Sequence, residues 1–314
     1  MKNIVVAGGG VLGSQIAFQA AYCGFDVTIW LRSPESITRT QPKLDHLKEV
    51  YIDTIHLMSA PEGKNPVNWA RGIADIETFD KEKCLAAVEK AYAGLKLETD
   101  MQKAVADADL IIESMAENVS DKIAFYEKLA PLLPEKTIIV TNSSTLLPSQ
   151  FADYTGRPEK YLSLHFANTI WKNNVAEVMA QDKTNKEYFN QVIDFAKKIR
   201  MIPLPVHKEK AGYLLNSMLV PLIFSGLDLY VNGVSDPESI DKAWQLGTGA
   251  PKGPFQILDT VGLTTAYNIV LLYANAPASA SPYNFKAMKE TLEKYISEGK
   301  LGKSSGEGFY KYDK

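Results

Sequence analysis

His165 and Glu177 are two side chains whose types could do acid–base chemistry. His165 lies near the end of one apolar run, Tyr161–Phe166, and Glu177 lies inside the next, Val175–Met179, 12 residues further along the chain. A neutral imidazole accepts a proton near neutral pH, and an adjacent carboxylate fixes its tautomer and stabilises the imidazolium. A lone histidine in an apolar run is more often a structural residue, whereas a buried carboxylate needs a partner. The spacing fits a pair on two neighbouring strands.

A glycine-rich turn near the start of the chain has the spacing G-x-G-x-x-G. It follows an apolar run and opens a helical pattern, which makes this short motif informative. Gly8 permits a tight turn, Gly10 lets the backbone approach a pyrophosphate, and Gly13 allows the helix to pack on the strand. We predict that Gly8, Gly10, Val11, Leu12 and Gly13 bind a dinucleotide at a helix N-terminus. The alternative is a tight turn without a ligand.

The end of the second predicted strand usually carries an acidic residue that binds the adenosine ribose. Here that place is taken by Leu31, Arg32 and Ser33. The Arg32 guanidinium can make a bidentate contact with a 2′-phosphate, and Ser33 can add a donor. This pattern favours NADP(H) over NAD(H). Alternatively, Arg32 stacks on adenine, which either dinucleotide would allow.

Helices and strands alternate over the first two thirds of the sequence. Short apolar runs predict strands, and a charged, mostly helical stretch at about 34–100 predicts an excursion from the sheet. The strand predictions are residues 3–7, 26–31, 110–114, 137–140, 161–166 and 175–179, and the helix predictions are 11–22, 120–132 and 186–199. This alternation indicates an α/β, Rossmann-type domain with a mostly parallel sheet.

Strand patterns fade after Pro203 and Pro205, and the remainder is helical in pattern. We therefore place a domain boundary near His207. The sequence predicts a dinucleotide-binding domain over residues 1–206 and an all-α domain over residues 207–314, which serves substrate binding and dimerisation.

Composition excludes several classes of function. The 314 residues carry a formal net charge of −3, which offers no basic surface for nucleic acid. Two cysteines, Cys23 and Cys84, give no disulfide framework and indicate a reducing compartment. The most apolar stretch, Leu214–Val231, contains polar residues and Pro221, so we expect a buried helix and no membrane span. We predict a cytoplasmic protein with no metal ligands.

Several ordered motifs together resemble the L-3-hydroxyacyl-CoA dehydrogenase family over nearly the whole chain. The matching stretches are residues 6–13 (VAGGGVLG), 117–119 (ENV), 141–146 (TNSSTL), 164–166 (LHF), 211–216 (AGYLLN), 252–259 (KGPFQILD) and 306–310 (GEGFY). The resemblance implies that His165 and Glu177 form the catalytic pair. It also implies that Ser144 hydrogen-bonds the substrate oxygen and that Asn216 contacts the substrate.

The resemblance implies further contacts to the cofactor and to a partner chain. Glu117, Lys122 and Asn168 match positions near the nicotinamide and its ribose. For Lys122, a solvated helix surface is the alternative. The resemblance also implies a homodimer formed through the C-terminal helices.

Three departures from the family pattern bear on the substrate. The acidic residue that binds the ribose is missing, and Thr169 replaces the proline of the family's His-Phe-x-Asn-Pro segment, with the bulky Trp171 after it. Residues 34–107, which include the family's CoA-contacting excursion, do not align convincingly. Three lysines there have the right charge for CoA but are more often a solvated face: Lys43, Lys48 and Lys64.

These features predict an oxidoreductase that transfers a hydride between NAD(P) and a 3-hydroxyacyl thioester, with a short-chain 3-hydroxyacyl-CoA preferred. One alternative is a dehydrogenase of a free hydroxy acid or another small alcohol on the same scaffold. A second alternative, of another class, is a catalytically silent dinucleotide-binding protein. The presence of His165, Glu177, Ser144 and Asn216 together argues against the silent protein.

Overall fold

The computed structural model describes residues 1–65, 69–274 and 282–312. The chain divides into two compact units, Met1–Leu214 and Leu215–Lys314. The first unit contains the described strands of the central sheet, and the second is built from helices.

In the described part of the first unit, eight strands form one sheet in the order β3-β2-β1-β4-β5-β6-β7-β8. Neighbouring strands run parallel except β6 and β7, which are antiparallel. The strands are β1 (Asn3–Ala7), β2 (Asp26–Trp30), β3 (Lys96–Glu98), β4 (Leu110–Glu113), β5 (Ile138–Thr141), β6 (Tyr161–Phe166), β7 (Val175–Met179) and β8 (Ile202–Val206). The predicted α/β, mostly parallel architecture is confirmed.

Helices cover both faces of this sheet. Side chains of α1, α2, α3 and α6 join the larger apolar core on one face, and those of α4 and α5 join a second core on the other. Because strands β4 to β6 are covered on both faces, they are buried along their whole length and mostly apolar. The helices are α1 (Val11–Tyr22), α2 (Pro34–Ser59), α3 (Lys81–Gly94), α4 (Met101–Val105), α5 (Val119–Leu129) and α6 (Lys186–Lys198).

The sequence patterns did not predict the two edge strands. β3 is only three residues long and lies inside the stretch predicted as a helical excursion, so its alternation is too short to register. β8 carries Pro203 and Pro205, which normally argue against a strand. Since β8 pairs only with β7, its prolines remove no hydrogen bonds on a second side.

The first unit extends to Leu214, beyond the boundary expected near His207. Residues just before Leu215 are bonded to the first unit: the Tyr213 hydroxyl donates to the Ser143 carbonyl, and the Leu214 N–H donates to Glu177. These bonds attach the segment after β8 to the sheet.

The second unit is helical, as predicted. Its described helices surround a core that includes Phe224, Phe255 and Met288. Within the described ranges, no helix is long and apolar enough to cross a bilayer. The helices are α7 (Leu215–Val231), α8 (Pro237–Thr248), α9 (Pro254–Val261), α10 (Leu263–Leu271) and α11 (Phe285–Ser297).

Candidate active site

The candidate residues of the first unit gather at one edge of the sheet. Strands β1, β4, β5 and β6 are parallel, so their carboxyl ends lie at the same edge. The glycine loop follows β1, Ser143 and Ser144 follow β5, and His165 lies one residue from the end of β6. This edge is where ligands bind in sheets of this kind.

His165 and Glu177 lie opposite each other across the antiparallel pair β6–β7. The Nδ1 atom of His165 is 2.9 Å from Oε2 of Glu177, and both side chains are buried. The other carboxylate oxygen, Oε1, accepts the Leu214 N–H at 2.8 Å. The carboxylate therefore holds the imidazole by Nδ1, which leaves Nε2 facing the opposite way.

Ser144 meets the histidine on its other side. Its Oγ lies 3.2 Å from His165 Nε2, and the serine is half-buried, while the histidine is buried. The structure thus brings Ser144, His165 and Glu177 into one line of hydrogen-bonding groups that ends in a side chain with access to solvent.

Glu117 organises the loop that carries the serine. Its carboxylate accepts the Ser143 hydroxyl at 2.7 Å and the Ser144 N–H at 2.6 Å. Glu117 itself is exposed at the turn before α5. The family resemblance implies that Glu117 lies near the cofactor, and in the structure its carboxylate is bonded to the serine loop at the same edge.

Tyr213 is a residue of this site that the sequence reasoning missed. Its ring is stacked on the His165 imidazole with centroids 4.5 Å apart and planes at 7°, and its hydroxyl donates to the Ser143 carbonyl at 2.7 Å. Tyr213 belongs to the 211–216 stretch that carries the family resemblance, which is the only signal in the sequence that pointed to it.

The glycine loop has the packing that a bound pyrophosphate requires. Gly8 has φ +118°, and a Cβ there would meet the Ser114 carbonyl oxygen at 2.5 Å; a Cβ at Gly13 would meet the Gly8 oxygen at 2.2 Å. A Cβ at Gly10 would meet nothing within 4 Å, and Gly10 and Val11 are exposed. Gly10 is also the N-cap of α1, so N–H groups point into this open space. These residues fit a dinucleotide.

Lys122 is placed differently from the expectation. Its side chain has no exposed surface, and its Nζ lies 2.6 and 2.7 Å from the two oxygens of Glu113, which is also fully buried. Tyr126 and Thr141 donate their hydroxyls to the same carboxylate. The solvated surface is therefore wrong for this lysine, because Glu113 holds the ammonium inside the fold. The contact of Lys122 with the cofactor stays a prediction.

Arg32 and Ser33 lie where β2 passes into α2. Arg32 is exposed, and Ser33 is the N-cap residue of α2. The Ser33 hydroxyl is 3.3 Å from that of Ser36, which accepts a hydrogen bond from Arg39 Nη2 at 2.9 Å. A second guanidinium, that of Arg39, therefore lies close to the pair predicted from the sequence.

Asn168 is exposed in the turn between β6 and β7. Thr169, which follows it, has φ +62° and donates its N–H to Gln15 Oε1 at 2.8 Å. A proline has neither this φ nor an N–H. Thr169 therefore gives this turn a backbone conformation that proline cannot adopt. The Thr169 N–H also ties the turn to Gln15 of α1, the helix that begins at the glycine loop.

Trp171 is buried in the core and adds no exposed bulk beside the site. Its ring centroid lies 5.3 Å from that of Tyr51 on α2, and its carbonyl accepts the Gly72 N–H at 2.9 Å. A Cβ at Gly72 would lie 2.7 Å from the Trp171 backbone. The helical excursion thus packs directly on the β6–β7 turn.

Two of the lysines considered for CoA are used within the first unit. Lys48 pairs with Glu89 at 2.9 Å, and Lys43 donates to the Arg39 carbonyl. Nothing is assigned to the Lys64 side chain, which lies outside the described side chains. Asn216 belongs to the second unit, where it is half-buried in the first turn of α7.

Comparisons with known proteins identify the family of this chain. Residues 3–210 match the family model of the 3-hydroxyacyl-CoA dehydrogenase NAD-binding domain, and residues 212–312 match that of the C-terminal domain. The human mitochondrial hydroxyacyl-coenzyme A dehydrogenase is 30% identical over 99% of this chain and 91% of its own length. The 3-hydroxybutyryl-CoA dehydrogenase of Clostridioides difficile is 28% identical over 99% of this chain and all of its own length.

A solved structure described as a diketoreductase acting on dicarbonyl compounds is more similar still. It is 45% identical, covers 99% of both chains and superposes with a TM-score of 0.84. The family models together span nearly the whole chain. The protein therefore belongs to the 3-hydroxyacyl-CoA dehydrogenase family and is an oxidoreductase with a nicotinamide dinucleotide-binding domain.

Proposed function

We propose that the protein reversibly oxidises a 3-hydroxyacyl compound to its 3-oxo form, with His165 as general acid/base and Glu177 as the group that orients it. The observation that carries this proposal is the line of Ser144, His165 and Glu177, with contacts of 3.2 and 2.9 Å, at the sheet edge that also holds the glycine loop. A silent dinucleotide-binding protein has no need for this arrangement.

The chain's own groups supply the proton chemistry. In the oxidative direction, His165 Nε2 accepts the substrate hydroxyl proton while the carbon loses a hydride, and Glu177 stabilises the imidazolium through Nδ1–H. Ser144 hydrogen-bonds the same substrate oxygen. In the reductive direction, hydride adds to the carbonyl carbon and the π electrons of the C=O bond move onto its oxygen. The imidazolium of His165 then donates its proton to that oxygen.

The dinucleotide, when bound, accepts or supplies the hydride. Gly8, Gly10, Val11, Leu12 and Gly13 would hold its pyrophosphate at the N-terminus of α1. Glu117 and Asn168 would border the nicotinamide end, because both lie in turns at the edge that carries His165. The family resemblance gives Asn216 a contact with the substrate, and its alternative role is a helix–helix hydrogen bond.

The first substrate to test is a short-chain 3-oxoacyl-CoA, the oxidised form of the substrates for which the hydroxyacyl-coenzyme A and 3-hydroxybutyryl-CoA dehydrogenases are named. A free 1,3-dicarbonyl compound or hydroxy acid is the second candidate. Two observations favour it: the 45% identity to the diketoreductase, and the engagement of Lys43 and Lys48 by neighbouring groups of the chain.

Purified protein incubated with NADH or NADPH separates these candidates. Acetoacetyl-CoA, acetoacetate and acetylacetone share a 3-oxo group. Their second carbonyl belongs to a thioester, a carboxylate and an uncharged ketone, respectively, so their kcat/KM values rank the substrate classes. Loss of turnover in His165→Gln, with ADP-ribose binding retained, is the expected control. Absence of turnover by the wild-type protein with all three compounds and both cofactors would refute the proposed function.

We further propose that NADP(H) is preferred over NAD(H). Arg32 and Arg39 provide two guanidinium groups beside Ser33, and no acidic residue occupies the end of β2 to repel a 2′-phosphate. One carboxylate opposes this preference: Glu35 lies in the first turn of α2, and its hydrogen bond to Ser33 lowers its pKa, which keeps it charged.

A paired NADH and NADPH titration tests this preference. Arg32→Asp should weaken NADPH binding by about 1.5–3 kcal/mol, the size of a charge-assisted hydrogen bond, and leave NADH nearly unchanged. Lys90→Asp on the exposed face of α3 is the matched charge reversal and should affect neither. Equal loss of both cofactors in Arg32→Asp would assign Arg32 to adenine stacking instead.

A homodimer formed by the second unit is our proposal for the assembly. Large apolar side chains of that unit are strongly exposed, among them Met218, Leu246 and Leu272 at 67%, 85% and 74%. Light scattering at micromolar concentration should give twice the chain mass. The Leu246→Glu variant should give a lower mass, because a charge at this position weakens the interface. A monomeric wild type would refute the dimer.

We also propose that the protein works in the cytoplasm, where thiols stay reduced. Cys23 and Cys84 are both free, and burial raises the pKa of the Cys23 thiol to about 12, so it stays protonated and unreactive.

A further inference from the structure

Three consecutive residues, Gly212, Tyr213 and Leu214, are bonded to the serine loop and to Glu177 in the candidate site; we call them the 212–214 clamp. The Gly212 N–H donates to the Ser144 carbonyl at 3.1 Å, the Tyr213 hydroxyl donates to the Ser143 carbonyl at 2.7 Å, and the Leu214 N–H donates to Glu177 at 2.8 Å. The clamp therefore touches the serine loop and the carboxylate from one short segment.

The backbone of the clamp is held in a rare conformation. Gly212 has φ +80° and Tyr213 has φ +50°. A left-handed conformation at a bulky residue costs free energy and persists where surrounding contacts over-determine it. Here those contacts are the ring stack on His165 and the three hydrogen bonds of the clamp.

The ring of Tyr213 covers one face of the His165 imidazole. At 4.5 Å and 7° between the planes, the imidazole cannot tilt toward that side without meeting the tyrosine ring. Glu177 restrains the ring at Nδ1. A face contact and an edge contact together fix the direction in which Nε2 points.

The hydroxyl of Tyr213 restrains the second group that addresses the substrate oxygen. Burial raises the pKa of this phenol, so it stays protonated and donates to the Ser143 carbonyl, one residue before Ser144. Glu117 holds the same loop from the exposed side through the Ser143 hydroxyl and the Ser144 N–H. Tyr213 thus acts on both the base and the serine.

We infer that Tyr213 is a positioning residue that sets the mutual geometry of His165 and Ser144 through its ring and its hydroxyl separately. This inference rests on the proposed function for its kinetic consequence, and it goes beyond it by assigning the two restraints to different parts of one side chain. A residue that served only packing would lose stability on substitution without separating kcat from KM.

Two substitutions separate the ring from the hydroxyl. Tyr213→Phe keeps the stack and loses one hydrogen bond to the serine loop, so KM for the oxo substrate should rise about 5-fold with kcat little changed. Tyr213→Leu loses both restraints, and kcat should fall about 10–100-fold, as expected for a misaligned catalytic group. The Kd of the dinucleotide should stay within 2-fold of wild type in both variants.

Tyr161→Phe is the matched control. Tyr161 is a buried tyrosine of the same unit whose hydroxyl donates to Tyr126 and not to the serine loop. Its loss should lower stability and leave kcat and KM unchanged. A Tyr213→Leu variant with kcat and KM within 2-fold of wild type would overturn the inference.

A second measurement requires no turnover and so remains decisive if the proposed substrate is wrong. The chain has only four histidines, and selective labelling with assignment by His165→Gln isolates the His165 ring signals. Removing the stacked ring in Tyr213→Leu should shift these signals downfield, while Tyr213→Phe should preserve their positions. Unchanged signals in Tyr213→Leu would also overturn the inference.

Discussion

Two buried pairs of a carboxylate and a nitrogen base lie at the same edge of the sheet, and they differ in what surrounds the base. In the pair Glu113–Lys122, both side chains have 0% exposure, and tyrosine and threonine hydroxyls complete the coordination of the carboxylate. In the pair His165–Glu177, one ring nitrogen is held at 2.9 Å and the other faces Ser144, which is half-buried.

The two pairs contain similar groups but differ in whether a bound molecule can reach them. A pair with no exposed surface, whose charged groups bond each other inside the fold, is expected to act on stability. A pair with one nitrogen directed toward an accessible side chain can exchange a proton with a bound molecule. Closure around Lys122 and accessibility beside His165 therefore separate a structural pair from a candidate catalytic one.

The largest effect is expected at the open pair. His165→Gln removes the general base but keeps a polar group of similar reach, and kcat should fall by about 10²–10⁴-fold. Steady-state rates and dinucleotide binding measured on the same preparation check this, with binding expected to remain. A variant within 10-fold of wild-type kcat would show that another group carries the proton.

The closed pair should respond in stability. Lys122→Met leaves Glu113 as an uncompensated buried charge and should cost about 3–5 kcal/mol of unfolding free energy, measured in urea. Lys122→Met combined with Glu113→Gln should recover most of that loss. If Lys122→Met instead weakened NAD(P) binding at unchanged stability, the lysine would be a cofactor ligand and the contrast between the pairs would fail.

An intermediate effect is expected in the turn that leads from His165 to Glu177. Thr169→Pro removes the N–H that Gln15 accepts and excludes φ +62°, which should cost about 2 kcal/mol of stability. Thr169→Gly keeps both features and should stay close to wild type. Equal melting temperatures for the two variants would mean that this turn exerts no backbone constraint on the open pair.

The smallest effect is expected at Asp109, a carboxylate near the surface that shows how little a less buried ion pair adds to stability compared with the two buried pairs. Burial raises the pKa of Asp109, but Lys136 and the N–H groups of Asn3 and Lys2 outweigh it and bring the pKa to about 2. Because this folded pKa is lower than the unfolded value near 4, the stabilisation is present above about pH 4 and disappears as the pH falls through 2.

Urea unfolding between pH 5 and pH 2 checks this. The Asp109 contribution should be about 1 kcal/mol or less, as for other exposed pairs, and Asp109→Asn should lose correspondingly less stability over the same interval. Parallel curves for the two proteins would remove Asp109 from the acid response.

The central strands were predictable because local patterns encode them, whereas the pairing of His165 with Glu177 was implied by the family resemblance. Apolar runs identified β1, β4, β5, β6 and β7, and a carboxylate inside β7 required a partner that His165 supplies. The edge strands were not predictable. β3 is too short for a pattern. The prolines of β8 indicate a break in a strand, and they are compatible with one only because β8 lies at the edge of the sheet and pairs with β7 alone.

The environment of Lys122 and the role of Tyr213 depend on tertiary contacts that no local pattern carries. Lys122 sits in a helix with a polar sequence, so nothing in its spacing indicates that Glu113, 9 residues earlier, draws it inside. Tyr213 stacks on His165 although 48 residues separate them in the sequence. Its position depends on a positive φ at Gly212 and at Tyr213 itself, and a sequence pattern indicates such a φ only at the glycine.

The single antiparallel neighbour in the described sheet has a consequence for how this site tolerates change. His165 and Glu177 are cross-strand partners, so their meeting depends on strand register and not on the length of the intervening turn. An insertion within residues 167–174 that preserves the pairing would remodel what borders the substrate and leave the acid–base pair intact. A slip of one residue would turn Glu177 to the opposite face of the sheet and separate the pair.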